Sequence, residues 1–351
     1  MKRNRIIYLF AACTLAACGN SHATDNIPLT PEAKALAMRA DSILRDPETY
    51  NVFKENKENW AAHPKELELI SYFNAAAAAR YTYDEEDNAV QQFADSDWEL
   101  ACSAKLDEYL RLAGTPLPCR QPERLQAQQR LTEELEGLLD YMEGGPQIIM
   151  NYHSGNVRMF RTFNALSFAR ELAQLAADSS LRRALQAEEG AWQHFYGYPV
   201  ELFIAEACID GWGGSMLPLL ANGVGIQLQE LRLASLQHLA PAVCGATFPE
   251  SGLEPANNTT DADVQKFYDK LLGFYGEREE AEKEHEGYAE LTKAVGKARE
   301  AYTAFMNARA ALRDVLPQAL RATFDEDTNR FRHITVTAGS EGDEETDEEE
   351  Y

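Results

Sequence analysis

One short segment of the sequence has the spacing of a metal-binding motif. Glu282-Lys283-Glu284-His285 contains Glu-x-x-His, which places a carboxylate and an imidazole on one face of a helix, as in di-iron bundles. Such a bundle needs the motif twice together with two further glutamates, and the sequence has no second copy. The surrounding run EREEAEKEHE is highly charged, so we interpret the segment as the solvated face of a helix.

Two other segments could also be considered for chemistry. His153 follows Asn151-Tyr152 and precedes Ser154, but no partner aspartate is indicated, so we expect an exposed histidine in a loop. Gly223-Val224-Gly225 has neither a preceding strand nor a third glycine, so it does not match a nucleotide-binding fingerprint. The sequence therefore indicates no catalytic residue, no metal site and no cofactor, and it favours a protein that is not an enzyme.

The N-terminus has the pattern of a bacterial lipoprotein signal. Lys2, Arg3 and Arg5 precede an apolar run from Ile6 to Ala12, and Leu15-Ala16-Ala17-Cys18 forms a small-residue cleavage pattern that ends in cysteine. The run is too short to span a bilayer. We expect cleavage before Cys18 and lipidation of that residue by more than one acyl chain. The expected location is the cell envelope, at the outer membrane, facing the periplasm or the cell surface.

Four further cysteines would belong to the mature chain: Cys102, Cys119, Cys208 and Cys244. An even number of cysteines in an exported chain predicts two disulfides, and sequence proximity favours Cys102 with Cys119 and Cys208 with Cys244. Each bond would add about 3–4 kcal/mol in the chain-entropy model. A zinc site is the alternative, but no C-x-x-C pair or histidine stands at ligand spacing.

The charge of the chain limits its partners. Its formal net charge is -24, and removal of residues 1–17 with their three basic residues makes it -27. Such a chain repels nucleic acid and anionic lipid headgroups, and it attracts cations and basic proteins. Part of the excess is local, because Glu341 to Tyr351 contains eight acids in eleven residues, which predicts a disordered tail.

Helical periodicity runs through most of the chain and predicts an all-α fold of helix-bundle lobes with disulfide staples. Thr30 followed by Pro31 predicts an N-cap and a helix through about Arg45. Gly144-Gly145-Pro146 is a strong breaker and predicts a lobe boundary. The predicted parts are a signal peptide (1–17), a tether (18–29), an N-terminal helical lobe (30–145), a central helical module (146–247), a linker (248–260), a C-terminal helical lobe (261–338) and an acidic tail (339–351).

The C-terminal lobe carries the longest apolar seam in the sequence. Positions three and four residues apart predict one face of a helix packed on a partner helix: Tyr288, Leu291, Val295, Ala298, Tyr302 and Phe305. Phe331 to Val336 alternates between apolar and polar residues, so it predicts a short strand, the only one expected in the chain.

The turn Asp210-Gly211-Trp212-Gly213-Gly214-Ser215 is the candidate binding site. Trp212 is a bulky aromatic residue flanked by glycines, and exposed tryptophans are favoured as binding anchors. We therefore take Trp212, Gly213, Gly214 and Ser215 as candidate binding residues. The alternative is that Trp212 packs inside the loop, while Trp60, Trp98 and Trp192 are expected in helical cores.

The region around this turn resembles a known family. Glu189-Gly190-Ala191-Trp192, Phe195 or Tyr196, Cys208, Gly213-Gly214-Ser215, Pro218, and Arg232 with Leu236 are similar to the pattern of the LprI-like family (DUF1311) of bacterial envelope proteins. The resemblance covers about sixty of the 351 residues. It implies that Trp192, Pro218, Arg232 and Leu236 are structural motif residues. The family's second cysteine would fall near Gly223 to Gly225, whereas the cysteine available here is Cys244.

A second segment, Leu291 to Leu320, is a weaker echo of the same pattern. Ala301-Tyr302 with Phe305 resembles Ala191-Trp192 with Phe195, but no cysteine follows. Two explanations are open: a degenerate repeat, or two unrelated amphipathic helices.

The resemblance implies a function in binding. Some members of the LprI-like family are described as lysozyme inhibitors, and many have no assigned activity. Lysozymes of the usual host type are strongly basic, so an acidic envelope lipoprotein has the charge needed to capture one. We expect a lipid-anchored binding protein that occludes a basic protein such as lysozyme. The alternative is a structural or scaffolding lipoprotein that is acidic for solubility.

Overall fold

The computed structural model describes most of the chain between residues 28 and 337. The described residues are 28–46, 61–84, 89–114, 121–140, 147–210, 214–249, 253, 257–281 and 286–337. The predicted signal peptide with Cys18, the residues Trp60, Cys119, Trp212 and Gly213, the Glu-x-x-His segment and the acidic tail lie outside them. The structure is almost wholly helical, which confirms the predicted all-α class, and it divides into two compact units, Met1–Leu175 and Ala176–Tyr351.

The described part of the first unit has five α-helices and one short hairpin. They are α1 (Pro31–Arg45), α2 (Pro64–Ala79), β1 (Tyr81–Tyr83), β2 (Ala89–Gln91), α3 (Asp95–Leu112), α4 (Pro122–Asp140) and α5 (Gln147–Leu175). The start of α1 agrees with the prediction, because the Thr30 hydroxyl accepts a hydrogen bond of 3.0 Å from the Ala33 amide and Pro31 opens the first turn.

Aromatic residues fill the core of the first unit. The Phe73 ring lies 5.1 Å from the Phe160 ring and 4.7 Å from the Phe163 ring, and Trp98 contacts Phe163 edge-on. Since α5 carries Phe160 and Phe163 and packs on α2, α3 and α4, it completes this core. The division between the two compact units falls after Leu175, whereas the predicted glycine-proline breaker lies outside the described residues.

The two strands of the structure lie where none was expected. β1 and β2 form an antiparallel pair in which Thr82 stands opposite Val90. The predicted strand Phe331–Val336 is wrong, because these residues belong to a continuous helix that ends at Thr337. Phe331 and Thr335 are both buried, one helical turn apart. The β-branched residues of the segment produced the alternation, but the burial follows the helical period.

The described part of the second unit contains helices joined by loops and no strand. Its elements are α6 (Ser179–Phe195), α7 (Gly197–Asp210), a 3₁₀ turn (Gly214–Met216), α8 (Leu217–Cys244), α9 (Asp261–Ala281), α10 (Glu286–Val315) and α11 (Gln318–Thr337). The six predicted seam positions of α10 are all buried, which confirms that seam, and α10 packs on α6, α7, α9 and α11.

The segment that carries Trp192 and its echo pack directly on each other. The first aromatic of each segment meets the second aromatic of the other: Trp192 lies 5.2 Å from Phe305, and Phe195 lies 5.9 Å from Tyr302. The Phe195 and Phe305 rings stack between these pairs with centroids 5.4 Å apart. Residue numbers increase along α6 while those of the contacting residues decrease along α10, so the two helices are antiparallel. Their aromatic contacts are reciprocal, as expected about a local two-fold axis.

No helix in the described part of the chain combines the length and the apolar character needed to cross a bilayer.

Candidate functional site

The candidate binding turn connects α7 to α8. Gly214 and Ser215 are exposed in the 3₁₀ turn, whereas Trp212 and Gly213 lie outside the described residues. Gly214 has φ +49°, a left-handed conformation that residues with a Cβ adopt at a cost. The glycine that the sequence places here is therefore required by the backbone of the turn.

Apolar side chains are exposed on both helices beside this turn. Ile204 on α7 is 38% exposed, Met216 at the end of the 3₁₀ turn is 47% exposed, and Leu220 near the start of α8 is 37% exposed. Pro218 is also exposed, within the first turn of α8. We call these four residues, Ile204, Met216, Pro218 and Leu220, the apolar turn patch. Met216, Pro218 and Leu220 fall within five consecutive positions of the chain, so three of the four are exposed together beside the turn.

The residues that carry the family resemblance occupy two different places. Trp192 and Leu236 are buried in the core, and Arg232 is buried with its guanidinium 5.5 Å from the centre of the Trp192 ring. Pro218, in contrast, is exposed in the apolar turn patch. The structure thus brings Trp192 and Arg232 together as a cation–π pair inside the unit.

Arg232 also belongs to a group of buried charges that was not predicted. We call Glu188 and Glu189 on α6, Arg232 on α8 and Arg309 on α10 the Glu188 network. Arg232 donates from both terminal nitrogens to the two Glu188 carboxylate oxygens, each at 2.6 Å, and from Nη2 to Glu189 at 2.6 Å. Arg309 Nη1 donates to Glu188 Oε1 at 3.0 Å, so one carboxylate joins two guanidinium groups from different helices.

Aromatic rings enclose the Arg309 end of the network. The guanidinium carbon lies 4.1 Å from the Phe324 ring centre and 4.7 Å from the Phe331 ring centre, and Nε donates to the Thr328 hydroxyl at 2.9 Å. Glu188, Arg232 and Arg309 each have side chains that are only 1% exposed. Since their charged groups bond to one another and are closed off from solvent, the network has the properties of a structural core.

Burial and pairing act on the ionisation of the network in opposite directions. Burial alone would raise the pKa of Glu188, but the charges and hydrogen bonds of Arg232 and Arg309 outweigh it and lower the pKa. For Glu189, burial outweighs Arg232 and raises the pKa. Burial lowers the pKa of Arg309 to about 10, against the attraction of Glu188. Glu188 and Arg309 therefore remain charged near neutral pH.

Helical spacing was the available signal for this network. Glu188 precedes Trp192 by four residues, and Arg309 follows Phe305 by four, so each charge continues the face of a buried aromatic residue. Because Glu188 and Arg309 are charged, the apolar periodicity of each helix does not include them, although both side chains are buried.

The predicted disulfide between Cys208 and Cys244 is wrong, since neither cysteine is disulfide-bonded. Cys208 lies at the end of α7, just before the turn, whereas Cys244 is the last residue of α8, which begins after the turn. A helix of 28 residues is about 40 Å long, and a disulfide requires Cα atoms within about 7 Å. Proximity in sequence is therefore misleading when a long helix separates two residues.

The predicted bond between Cys102 and Cys119 is also absent, because the Cys102 thiol is free. Cys102 is buried in the first unit, and burial raises the pKa of its thiol well above the usual value. The described residues contain no group of three or more histidine, cysteine, aspartate or glutamate side chains placed to hold a metal ion.

His153 differs from the exposed loop residue that was expected. It lies within α5 and is 7% exposed, and neither ring nitrogen has a hydrogen-bond partner among the described residues. Burial lowers its pKa to about 4, so the imidazole is neutral at neutral pH. Within the described part of the chain, no carboxylate or hydroxyl is bonded to its ring.

Comparison of the chain with protein-family models, with curated proteins and with solved structures finds no match.

Proposed function

We propose that the chain is a lipid-anchored protein of the bacterial cell envelope, resembling the LprI-like lysozyme inhibitors, that binds a basic protein such as lysozyme. The observation that carries this proposal is the apolar turn patch. It lies at the turn that the sequence singles out, on a chain whose charge after loss of residues 1–17 is -27.

Charge and apolar contact would act at different stages of binding. The negative charge of the whole chain accelerates the approach of a basic partner, in a manner that salt screens. Met216, Leu220 and the neighbouring Trp212 then supply side chains of the kind that dominate binding energy at interfaces. In this proposal the partner is inhibited by occlusion, so no group of this chain reacts with it.

The second candidate function is that of a structural envelope lipoprotein. One observation favours it: Trp192, Arg232 and Leu236, which carry much of the family resemblance, are buried in the core. Buried motif residues account for a shared fold and make no contact with a ligand. On this alternative the acidic surface serves solubility, and loss of the protein alters envelope integrity without changing sensitivity to lysozyme.

A lysozyme turnover assay with the chain from Cys18 onward separates the two functions. We expect inhibition at micromolar excess that weakens as salt is raised from low to physiological concentration. The double variant Met216→Ser with Leu220→Ser, and separately Trp212→Ala, should reduce inhibition about tenfold or more. Met38→Ser is the matched control, because Met38 is a 74% exposed apolar residue that belongs to the first unit.

Absence of salt-sensitive inhibition would rule out the binding function. Equal loss of inhibition in the Met38→Ser control would show that any apolar surface residue suffices, which would remove the turn as the site. Circular dichroism of each variant verifies that the helical content is unchanged.

A further inference from the structure

The hairpin of the first unit has an exposed strand that the proposed function does not use. β1 and β2 form a two-stranded sheet, and no third strand pairs with it in the described part of the chain. All three residues of β2 (Ala89–Gln91) are exposed. A strand at the edge of a sheet presents a row of backbone groups with which an extended segment of another chain can pair.

The hydrogen bonds of the hairpin show which backbone groups of β2 face outward. The Gln92 amide donates to the Arg80 carbonyl oxygen at 2.7 Å, so these residues form a close hydrogen-bonded pair at the base of the hairpin. Because such pairs alternate along an antiparallel ladder, Val90 belongs to the next one. The intervening residues, Ala89 and Gln91, therefore direct their N–H and C=O groups to the outer side of β2. We call this outer side of Ala89–Gln91 the open edge.

The two outer sides of the hairpin differ in their partners. On the β1 side, the Tyr81 carbonyl oxygen accepts a hydrogen bond of 2.6 Å from Nη2 of Arg39, so α1 occupies that side. At the open edge, no described residue outside the hairpin bonds to the main chain of Ala89 or Gln91. β2 also contains neither a charged residue nor a proline, the residue types that commonly block pairing at sheet edges.

The charges around the open edge are almost all negative. Residues 80–97 contain one basic residue, Arg80, which pairs with Asp95 at 2.5 Å, and six acidic residues: Asp84, Glu85, Glu86, Asp87, Asp95 and Asp97. Asp84 directly follows β1, and Asp95 accepts a hydrogen bond of 3.2 Å from Gln91 Nε2, so carboxylates flank both ends of β2. A second copy of this chain would bring acid against acid in either direction of pairing, whereas a basic segment is attracted at both ends.

Side chains beside the open edge indicate what a pairing segment must carry. Val90 is 41% exposed, and Ala89 and Gln91 lie on the opposite face of the hairpin, because side chains alternate along a strand. Tyr83, which is 62% exposed, stands opposite Ala89 on that second face. Each face of the hairpin therefore offers an exposed apolar side chain, and the alternating side chains of an added strand can reach both faces.

We propose that the open edge binds an extended, basic segment of a partner protein as a third strand. The N–H and C=O groups of Ala89 and Gln91 supply the backbone hydrogen bonds, and a central apolar residue of the segment packs beside Val90. Lysine or arginine residues beyond both ends of the segment are attracted by the flanking carboxylates. This inference goes beyond the proposed function and does not depend on it, because the hairpin belongs to the first unit and the apolar turn patch to the second.

Isothermal titration calorimetry with the whole chain from Cys18 onward and synthetic peptides tests the proposal. The probe is acetyl-KRTVTRK-amide, whose central valine can lie beside Val90. One control is the acidic peptide acetyl-DETVTED-amide, and the other is the probe with its three central amides N-methylated, which keeps the charge but prevents backbone pairing. We expect the probe to bind at about millimolar concentration or below, more weakly as salt is raised, and neither control to bind.

Substitutions at one position separate backbone pairing from attraction by charge. Gln91→Pro removes an outward N–H, and an edge strand tolerates proline because that N–H takes no part in its own ladder. Gln91→Ala loses the same side chain but keeps the N–H, so it is the matched control. We expect Gln91→Pro to weaken binding of the probe about tenfold and Gln91→Ala to change it less than about twofold. Hydrogen exchange at Ala89 and Gln91 should slow when the probe binds to the native chain.

Three results would overturn the proposal: no binding of the probe at millimolar concentration, equal binding of the N-methylated peptide, or equal binding to Gln91→Pro and Gln91→Ala. Sedimentation of the native chain adds a fourth, because self-association that Gln91→Pro abolishes would identify a second copy as the occupant. Circular dichroism of both variants verifies that the helical content is unchanged. Lysozyme inhibition is measured in parallel and should be the same in both variants, so that failure of either proposal is recognised separately.

Discussion

The two units of the chain both bury charged side chains between helices, but they surround those charges differently. In the first unit, Arg170 Nε donates to Glu99 at 2.9 Å and Arg124 Nη1 donates to Asp107 at 2.6 Å. The Arg170 side chain is 20% exposed, and the Asp107 side chain is 22% exposed. In the second unit, the Glu188 network is closed off from solvent and packed against aromatic rings.

The neighbours of the charges explain why the two arrangements need different partners. In the first unit a set of hydroxyls and amides shares the bonding: Ser103, Gln128, Asn164 and Ser167. In the second unit Arg309 also has two hydroxyl partners, Thr328 at 2.9 Å and Ser235 at 3.4 Å, but neither these hydroxyls nor the surrounding aromatic rings carry a negative charge that could replace Glu188. Buried charge in the second unit should therefore be more sensitive to substitution and to pH.

The largest expected effect comes from neutralising the shared carboxylate of the second unit. Glu188→Gln leaves Arg232 and Arg309 facing an uncharged group, and Arg309 then has no buried anion directly bonded to it. We expect a loss of about 3–5 kcal/mol in the free energy of unfolding. Hydrogen exchange of the α6 and α10 amides in the whole chain measures it.

Glu99→Gln in the first unit is the matched control for this substitution. Its partner Arg170 is partly exposed and keeps Glu171 at 3.1 Å, so we expect a loss of only about 1–3 kcal/mol, seen in the α3 and α5 amides. Equal losses in the two units would contradict the idea that partial exposure and a second anion protect Arg170.

The next largest expected effect is that of pH on the free energy of unfolding, which should have opposite signs for His153 in the first unit and His238 in the second. In the first unit, the pKa of His153 is lowered to about 4 in the folded state, below its unfolded value of about 6.5. The unfolded chain therefore binds the proton first, and stability falls as the pH drops from about 6.5 towards 4, by up to about 1.4 kcal/mol per pH unit. Thermal unfolding between pH 7 and 4 detects this loss, and His153→Leu should remove most of it.

His238 in the second unit should respond in the other direction. Its Nδ1 lies 2.9 Å from Asp327 Oδ2, and this hydrogen bond raises its pKa against burial and the nearby Arg330, with Glu326 adding a smaller rise. The stabilisation is complete below the unfolded value of about 6.5 and is lost as the pH rises through the folded pKa.

Because His238 is 27% exposed, we expect less than about 1 kcal/mol from this pair. The measurement is the melting temperature of the native chain and of His238→Gln between pH 5 and 8. If the difference in melting temperature between the native chain and His238→Gln grew with pH, the stabilising bond between protonated His238 and Asp327 would be ruled out.

The smallest expected effect is a difference in thiol reactivity between Cys208 and Cys102, which does not involve the free energy of unfolding. Cys208 is exposed and Cys102 is fully buried, so iodoacetamide should modify Cys208 in the native chain and Cys102 only after unfolding. Mass spectrometry of the alkylated peptides gives both rates. Recovery of a peptide that links Cys208 to Cys244 through a disulfide would refute the absence of a disulfide between them.

The sequence predicts the helices better than the contacts between them. The seam from Tyr288 to Phe305 and the N-cap at Thr30 follow from local spacing, and the structure contains both. The strand at Phe331–Val336 was a wrong prediction, because β-branched side chains imitate alternation within a helix that tertiary packing stabilises.

The buried charges and the cysteines were beyond the reach of such patterns. Arg309 and Glu188 are 121 residues apart, and no local rule pairs them. The predicted pairing of Cys208 with Cys244 was wrong because the length of α8, about 40 Å, separates Cys244 from the turn that follows Cys208. At the candidate site, the turn with Gly214 and Ser215 is exposed, whereas the exposed neighbours Ile204 and Leu220 are recognised only once α7 and α8 are placed.

The long sequence separation within the Glu188 network has a consequence for the order of folding. α6 can form as soon as it is synthesised, but Arg309 and Phe305, which complete its buried face, come more than a hundred residues later. The second unit must therefore wait for nearly the whole chain before its core closes, and closing so large a loop is slow. During that interval Trp192 and Phe195 are available to other proteins, so a chain that stops before α10 should be captured by chaperones or degraded.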